Sequence, residues 1–364
     1  MSEQLALFIG DLSIGGAERV VINLSKGLTD RGHNVDIVLV RKRGDLLEKV
    51  PKSVNVVELS VDRMRWCIPA LARYLSTIQP RAIISFMTSA NTMAVLANRI
   101  SGNPSVTIAT EHNTQSMKES FKPTIIRLLA RFVYPLADHI VGVSAGVTED
   151  VVNWSLVERA KVRTIYNPSI EGSFTEKKYE KPDHPWYGND DVDIIFSAGR
   201  HVEQKDFETL LEGFAELSRS RKARLVLAGE GNRTEEYRDL ADNLGVFDQV
   251  SMPGFVDGIH RYMYHSDVFA LSSRWEGLSL VLIEAMGCGT PVVSTDCPSG
   301  PAEVLENGKY GPLVSVGSET ELSKAIIETL ENPISSEKLR DRARDFSIES
   351  ATESYLSLLT NEST

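Results

Sequence analysis

Apolar residues fall in short, nearly unbroken runs separated by longer stretches in which they recur every three or four positions. In the first half the runs are LALFIG (5–10), VDIVLV (35–40), AIISFM (82–87), SVTIATE (105–111) and HIVGVS (139–144). The stretch 17-AERVVINLSKGLTDRG-32 between the first two has the spacing of an amphipathic helix. The alternation restarts with DIIFSAG (193–199), RLVLAGEG (224–231), VSMPGF (250–255), VFALSS (268–273) and PVVST (291–295). Continuous apolar runs suit strands covered on both faces, as in parallel sheets wound with helices. Between the halves, 168-PSIEGSFTEKKYEKPDHPWYGNDD-191 is rich in Pro, Gly and charge and reads as a linker. The pattern therefore predicts an α/β protein with two doubly wound, Rossmann-like parallel-sheet domains facing each other across a cleft. The first domain is expected over 1–168, the linker over 169–189 and the second domain over 190–345. The last stretch, 346-FSIESATESYLSLLTN-361, places Ile348, Ala351, Tyr355, Leu358 and Leu359 on one helical face, and 346–364 is expected to return to the first domain.

Composition narrows the class. The chain has 364 residues, 42% hydrophobic and 24% charged, which suits two globular domains with substantial cores. No apolar run approaches the roughly 18 residues of a membrane span, and the N-terminus lacks the basic region of a signal peptide. Cys67, Cys288 and Cys297 have neither a pairing pattern nor metal-ligand spacing. A reduced, cytoplasmic setting is expected. The net charge of −11 argues against nucleic acid as a partner. The charge is uneven: residues 1–170 carry +5 and residues 171–364 carry −16. The basic half is open to two readings, variation between domains or a local anionic partner such as a phosphate or a membrane surface.

Five segments carry candidate chemistry. In 10-GDLSIGGAERVV-21, Gly15 and Gly16 lie between a strand and a helix, where backbone N–H groups meet phosphates; a tight turn is the plainer reading. In 199-GRHVEQKDFETLLEGF-214, Arg200 and Lys205 follow a strand and are placed to clamp a diphosphate, or are solvated surface cations. In 274-RWEGLSLVLIEAMGCGTPVVST-295, Ser279 is expected to cap a helix, Glu276 to lie in the loop before it, and Glu284 inside it. Burying Glu284 requires a hydrogen-bond partner, and a ribose diol offers two hydroxyls; an exposed surface acid is the alternative. In 110-TEHNTQ-115, His112 ends a strand at the edge where ligands gather, or is a structural histidine. In 117-MKESFKPTIIRLLARFVYPLADH-139, Lys118, Lys122, Arg127 and Arg131 are interleaved with aromatic and aliphatic residues. That mixture suits an anionic lipid surface or a core helix with a basic edge.

Taken in order, GGAER, EHN, GR…QK, PGFV and E-x7-E resemble the retaining glycosyltransferases of family 4, which have the GT-B fold, over almost the whole chain. The segment 296-DCPSGPAEVLENGKYGPLV-314 is most similar to transferases of N-acetylgalactosamine or N-acetylglucosamine that build bacterial polysaccharides and lipid-linked oligosaccharides. The resemblance implies an acceptor-binding first domain (1–168 with 346–364), a second domain (190–345) that binds the nucleotide-sugar donor, and a role for each candidate. Gly15 and Gly16 approach the donor, and Arg200 and Lys205 neutralise its diphosphate. Glu284 binds the nucleotide ribose and Glu276 lies by the donor sugar. The backbone around Gly277, Leu278 and Ser279 faces the sugar and phosphate, and Phe255 and Val256 hold the base. His112 contacts the donor sugar and assists the reaction. Arg127 and Arg131 correspond to a basic helix that grips the acceptor's pyrophosphate. In many relatives glycine follows the lysine, whereas here Asp206 does; it either puts a charge near the diphosphate or caps the helix starting at Phe207.

The implied activity moves an N-acetylhexosamine from a UDP-sugar to a membrane-associated, polyprenyl-diphosphate-linked glycan, without metal or other cofactor. The implied location is cytoplasmic and peripheral, on the anionic inner membrane surface. A diacylglycerol-type lipid or soluble sugar acceptor, a nucleotide-sugar epimerase and an inactive binding subunit remain as alternatives.

Overall fold

The computed structural model describes residues 3–13, 15–102, 105–114, 125–188 and 191–360. The chain divides into two units, one of residues 1–169 with 348–364 and one of residues 170–347.

The first unit is built on seven parallel strands: β1 (Gln4–Ile9), β2 (Asn34–Leu39), β3 (Asn55–Glu58), β4 (Ala82–Phe86), β5 (Val106–Glu111), β6 (His139–Gly142) and β7 (Val162–Thr164). Their spatial order is β3-β2-β1-β4-β5-β6-β7. The run Leu5–Phe8 is wholly buried because helices cover both faces of the sheet. The winding reverses between β1 and β4, so the loops leaving these strands part there and open a crevice at the carboxyl edge. The apolar face predicted for the last helix, Ile348–Thr360, is buried in this unit. Gly27 makes the close approach possible, since a Cβ there would lie 2.1 Å from Thr352 Oγ1. The Tyr355 hydroxyl lies 3.2 Å from Thr110 Oγ1, and Arg31 reaches Glu353 at 2.9 Å.

The second unit repeats the architecture with β8 (Asp193–Ala198), β9 (Ala223–Ala228), β10 (Val250–Ser251), β11 (Val268–Leu271), β12 (Val292–Thr295) and β13 (Leu313–Val314). Their order is β10-β9-β8-β11-β12-β13, all parallel, so the switch point lies between β8 and β11. Phe207, Leu210, Leu211 and Phe214 of the helix Phe207–Leu217 fill one face of this sheet. The segment read as a linker from its composition is packed into this unit from Ile170 onward. Phe174 is buried and sits edge-on to His260 at 4.7 Å between ring centroids. The sparse aromatic residues of that polar run thus serve as anchors.

Candidate active site

At the switch point of the second unit, the loop after β8 and the loop after β11 are joined by a set of cross-links. Arg274 N donates to Gln204 O at 2.8 Å, and Gln204 Nε2 to Trp275 O at 2.9 Å. Ser272 Oγ donates to Lys205 O at 2.9 Å. The centre of the set is the contact of Lys205 Nζ with Glu276 Oε1 at 2.5 Å, and the same oxygen accepts from Ser273 Oγ at 2.7 Å. Both charged side chains are largely buried, 15% exposed for Lys205 and 8% for Glu276. A partly desolvated contact of this kind is a charge-assisted hydrogen bond, shorter and stronger than one between neutral groups. Arg200 stands on the same turn and is exposed. A cavity of about 530 Å³ borders these loops, lined by Val202, Glu203, Glu208, Asn232, Arg233 and Arg274.

Asp206 occupies the N-cap position of the helix Phe207–Leu217 with φ +48°, yet its carboxylate accepts no cap bond from the backbone. It is fully buried and accepts instead from Thr209 Oγ1 at 2.9 Å and from Arg274 Nη2 at 3.1 Å. The cap, one of the two readings from sequence, is therefore replaced by a tie to the loop that carries Glu276. The reason is geometric: in the left-handed region the side chain is turned away from the first-turn N–H groups.

Glu276 is followed by buried Gly277, Leu278 and Ser279, the last at the N-cap of the helix Leu280–Cys288. The Ser279 hydroxyl makes no cap bond and is buried without a hydrogen-bond partner. An unsatisfied donor at the positive end of a helix is suited to an anionic oxygen. Glu284, one turn further on, is 2% exposed, with Oε2 3.7 Å from His260 Nε2. Phe255 and Val256 follow β10; Phe255 is exposed, Val256 is half-buried, and Gly254 O accepts from Gly229 N at 2.8 Å at the end of β9. Arg200, Lys205, Glu276, Ser279 and Glu284 thus lie on the loops after β8 and β11 and the helix they lead into. Phe255 and Val256 sit on the neighbouring loop.

In the first unit, Gly15 and Gly16 begin the helix Gly16–Asp30, and a Cβ on Gly15 would lie 2.2 Å from the Glu18 carboxylate. That helix start is already shared with an acid. His112, just after β5, is buried, and burial pushes its imidazole down to about 4, so it is neutral at pH 7. Its ring lies 5.8 Å from that of Phe86, and Nε2 is buried without a partner. The helix Ile125–Val133 carries Arg127, whose guanidinium lies 5.5 Å from the Trp154 ring centroid, and the exposed Arg131. Its residues Ile125, Leu128, Leu129 and Phe132 face solvent, so among the described residues this is not a core helix. Lys118 and Lys122 lie outside the described residues. Among the described residues no helix is long and apolar enough to cross a membrane, and no cluster of three or more His, Cys, Asp or Glu could hold a metal ion.

Sequence reading missed Ser273, His260 and His201. His201 is fully buried beside Arg200, with Nδ1 3.0 Å from Thr234 Oγ1 and its imidazole pushed down to about 4 by burial and nearby Arg238. Its neighbours Arg200, Val202 and Glu203 give no apolar run against which a buried histidine would stand out.

Two such doubly wound parallel-sheet domains define the GT-B class of glycosyltransferase. The fold matches that of Anabaena HepE in complex with UDP (TM-score 0.82, 21% identity, 99% of this chain and 100% of that one). The chain belongs to the glycosyltransferases, with a Glycosyltransferase Family 4 domain at residues 14–168 and a Glycosyl transferases group 1 domain at residues 180–346. It is 28% identical, over 91% of each chain, to the Campylobacter jejuni N-acetylgalactosamine-N,N'-diacetylbacillosaminyl-diphospho-undecaprenol 4-alpha-N-acetylgalactosaminyltransferase. It is 25% identical, over 92% of this chain and 89% of the other, to N-acetyl-alpha-D-glucosaminyl L-malate synthase of Bacillus anthracis.

Proposed function

We propose that this glycosyltransferase is retaining and moves an N-acetylhexosamine from a UDP-sugar to a polyprenyl-diphosphate-linked glycan on the cytoplasmic face of the inner membrane. The observation that carries the reading is the buried Lys205–Glu276 contact at the second switch point, with the unsatisfied Ser279 hydroxyl close by in sequence at a helix start. In this reading Arg200, Lys205 and Ser279 stabilise the negative charge that builds on the departing diphosphate, so the chemistry needs no divalent metal. Glu276 holds the donor sugar, Glu284 accepts from the ribose hydroxyls, and Phe255 and Val256 flank the base. Gly15 and Gly16 approach the donor. The neutral imidazole of His112 accepts a hydrogen bond from a sugar hydroxyl.

The bond from the sugar's anomeric carbon to the β-phosphate oxygen breaks while the acceptor oxygen bonds to the same face of that carbon. The acceptor's hydroxyl proton passes to the departing phosphate oxygen. Lys118, Lys122, Arg127 and Arg131 grip the acceptor's diphosphate and the anionic membrane surface. The similarity to the L-malate synthase favours, as a second reading, a small soluble acceptor.

The test is a thermal-shift screen of UDP-, GDP- and ADP-sugars with chelator present. A shift with one UDP-N-acetylhexosamine that disappears in Glu284→Ala and Arg200→Ala is expected. A flat panel, with no sugar release from any donor, would overturn the reading.

A further inference from the structure

β4 ends at Phe86 and the helix Thr88–Ser101 begins at Thr88, so a single residue, Met87, turns the chain from strand to helix. The turn places Met87 at φ +78°, ψ 144°, bordering a region populated almost only by glycine. Glycine would make this turn without a steric penalty. The chain places here instead a long apolar side chain that is 39% exposed.

The elbow is held rigidly. Met87 N donates to Thr110 O at 3.1 Å, and Asn91 N donates to Met87 O at 2.9 Å. Behind it lies the Glu111 carboxylate, 1% exposed, accepting from Thr88 Oγ1 at 3.0 Å, from Asn91 Nδ2 at 3.4 Å and from the Tyr134 hydroxyl. Asn91 Nδ2 also donates to Thr110 O at 2.9 Å. The network clamps the first turn of the helix to the end of β5, the strand that delivers His112. Strained backbone persists only where its surroundings over-determine it, and such strain gathers at functional sites.

Position supplies the function. Met87 leaves β4 at the point where the winding of the first sheet reverses beside β1, where ligands of open α/β sheets bind. It directly follows Phe86, whose ring packs 5.8 Å from His112. We propose that Met87 is a substrate-contact residue: the elbow presents its flexible, polarisable thioether to the apolar face of the acceptor's terminal sugar. This rests on the transferase reading above and puts the acceptor's terminal sugar beside the donor sugar that His112 contacts.

Two measurements test it. The first compares Met87→Gly with Met87→Ala, which lose the same contacts and differ in backbone freedom. At a strained positive φ the glycine variant melts higher, by about 2–4 °C; at an ordinary φ the alanine variant does. The second uses protein labelled with 13C at the methionine methyls, with the Met87 signal assigned by its loss in Met87→Leu. Titration with farnesyl-diphosphate-linked N-acetylgalactosamine is expected to shift that signal, and UDP-N-acetylgalactosamine alone to leave it in place. Met87→Ala is expected to raise the acceptor KM about tenfold, and Met87→Leu to restore it. Transfer or acceptor binding with an unmoved Met87 signal, or alanine melting above glycine, overturns the proposal. Absence of both binding and transfer sinks the transferase reading beneath it, while the order of the two melting points still reports the strain.

Discussion

Lys205 and Glu276 each depend on the other. Removing the ammonium leaves a carboxylate 8% exposed with Ser273 as a neutral donor, while the proposed diphosphate loses a point charge. Lys205→Met is expected to lower kcat/KM by about 10²–10³, the usual loss when one stabilising donor is removed. Steady-state UDP release checks this, and wild-type rates would sink the role given to Lys205. A second residue-scale prediction concerns acid stability. His112 and His201 are both neutral when folded, pushed down to about 4 from 6.5. Above pH 6.5 neither the folded nor the unfolded state binds the proton, so these groups are silent. Below it the unfolded chain takes up protons that the folded chain refuses, and stability falls until the folded groups titrate near pH 4. The loss is on the order of 1–3 kcal/mol per histidine. His201→Phe keeps an aromatic ring against Phe207 and Tyr237 and should flatten the decline between pH 7 and pH 5 in urea denaturation. An unchanged slope would place the effect elsewhere.

At the scale of elements, Asp206 ties the start of the helix Phe207–Leu217 to the loop carrying Glu276. Arg274→Leu leaves a fully buried carboxylate without its cation and is expected to cost about 2–4 kcal/mol. Adding Asp206→Gly removes that charge at a φ of +48° that glycine adopts freely, so the double variant should recover most of the loss. Urea titrations of the two single variants and the pair give the coupling; additive losses would show that the tie carries no energy. The same contrast explains what the sequence made legible. β1, β2, β4, β8, β9 and β11 announce themselves because both faces are covered and most positions are apolar. β3 and β7 do not: they are edge or near-edge strands, half-exposed, and too short to show a period. Glu276 and Glu284 were visible through their spacing, and Lys205 through its place after a strand. The partners Ser273, Asp206–Arg274 and Glu111–Tyr134 were not, because a polar contact between distant loops leaves no periodic trace.

At the scale of the whole molecule, charge and apolar exposure coincide in the N-terminal half. Residues 1–170 carry +5 in a chain of net −11. Within that half, the helix Ile125–Val133 turns Ile125, Leu128, Leu129 and Phe132 to solvent beside Arg131, with Ile125 88% and Phe132 59% exposed. Exposing four large apolar side chains on a helix of this length has a hydrophobic cost unless a surface receives them. A bilayer interface suits the combination, since apolar groups enter the acyl boundary while cations meet anionic head groups. Each buried side chain adds roughly 1.5–3 kcal/mol, and each cation near the surface about 1 kcal/mol. Leu128→Ser with Phe132→Ser is therefore expected to abolish co-sedimentation with phosphatidylglycerol vesicles while leaving hydrolysis of a soluble UDP-sugar intact. Wild-type binding should also weaken as salt rises and the anionic attraction is screened. If the serine variant still sediments, or the wild type binds neutral and anionic vesicles alike, this helix does not bring the enzyme to its acceptor, and the small soluble acceptor becomes the stronger reading.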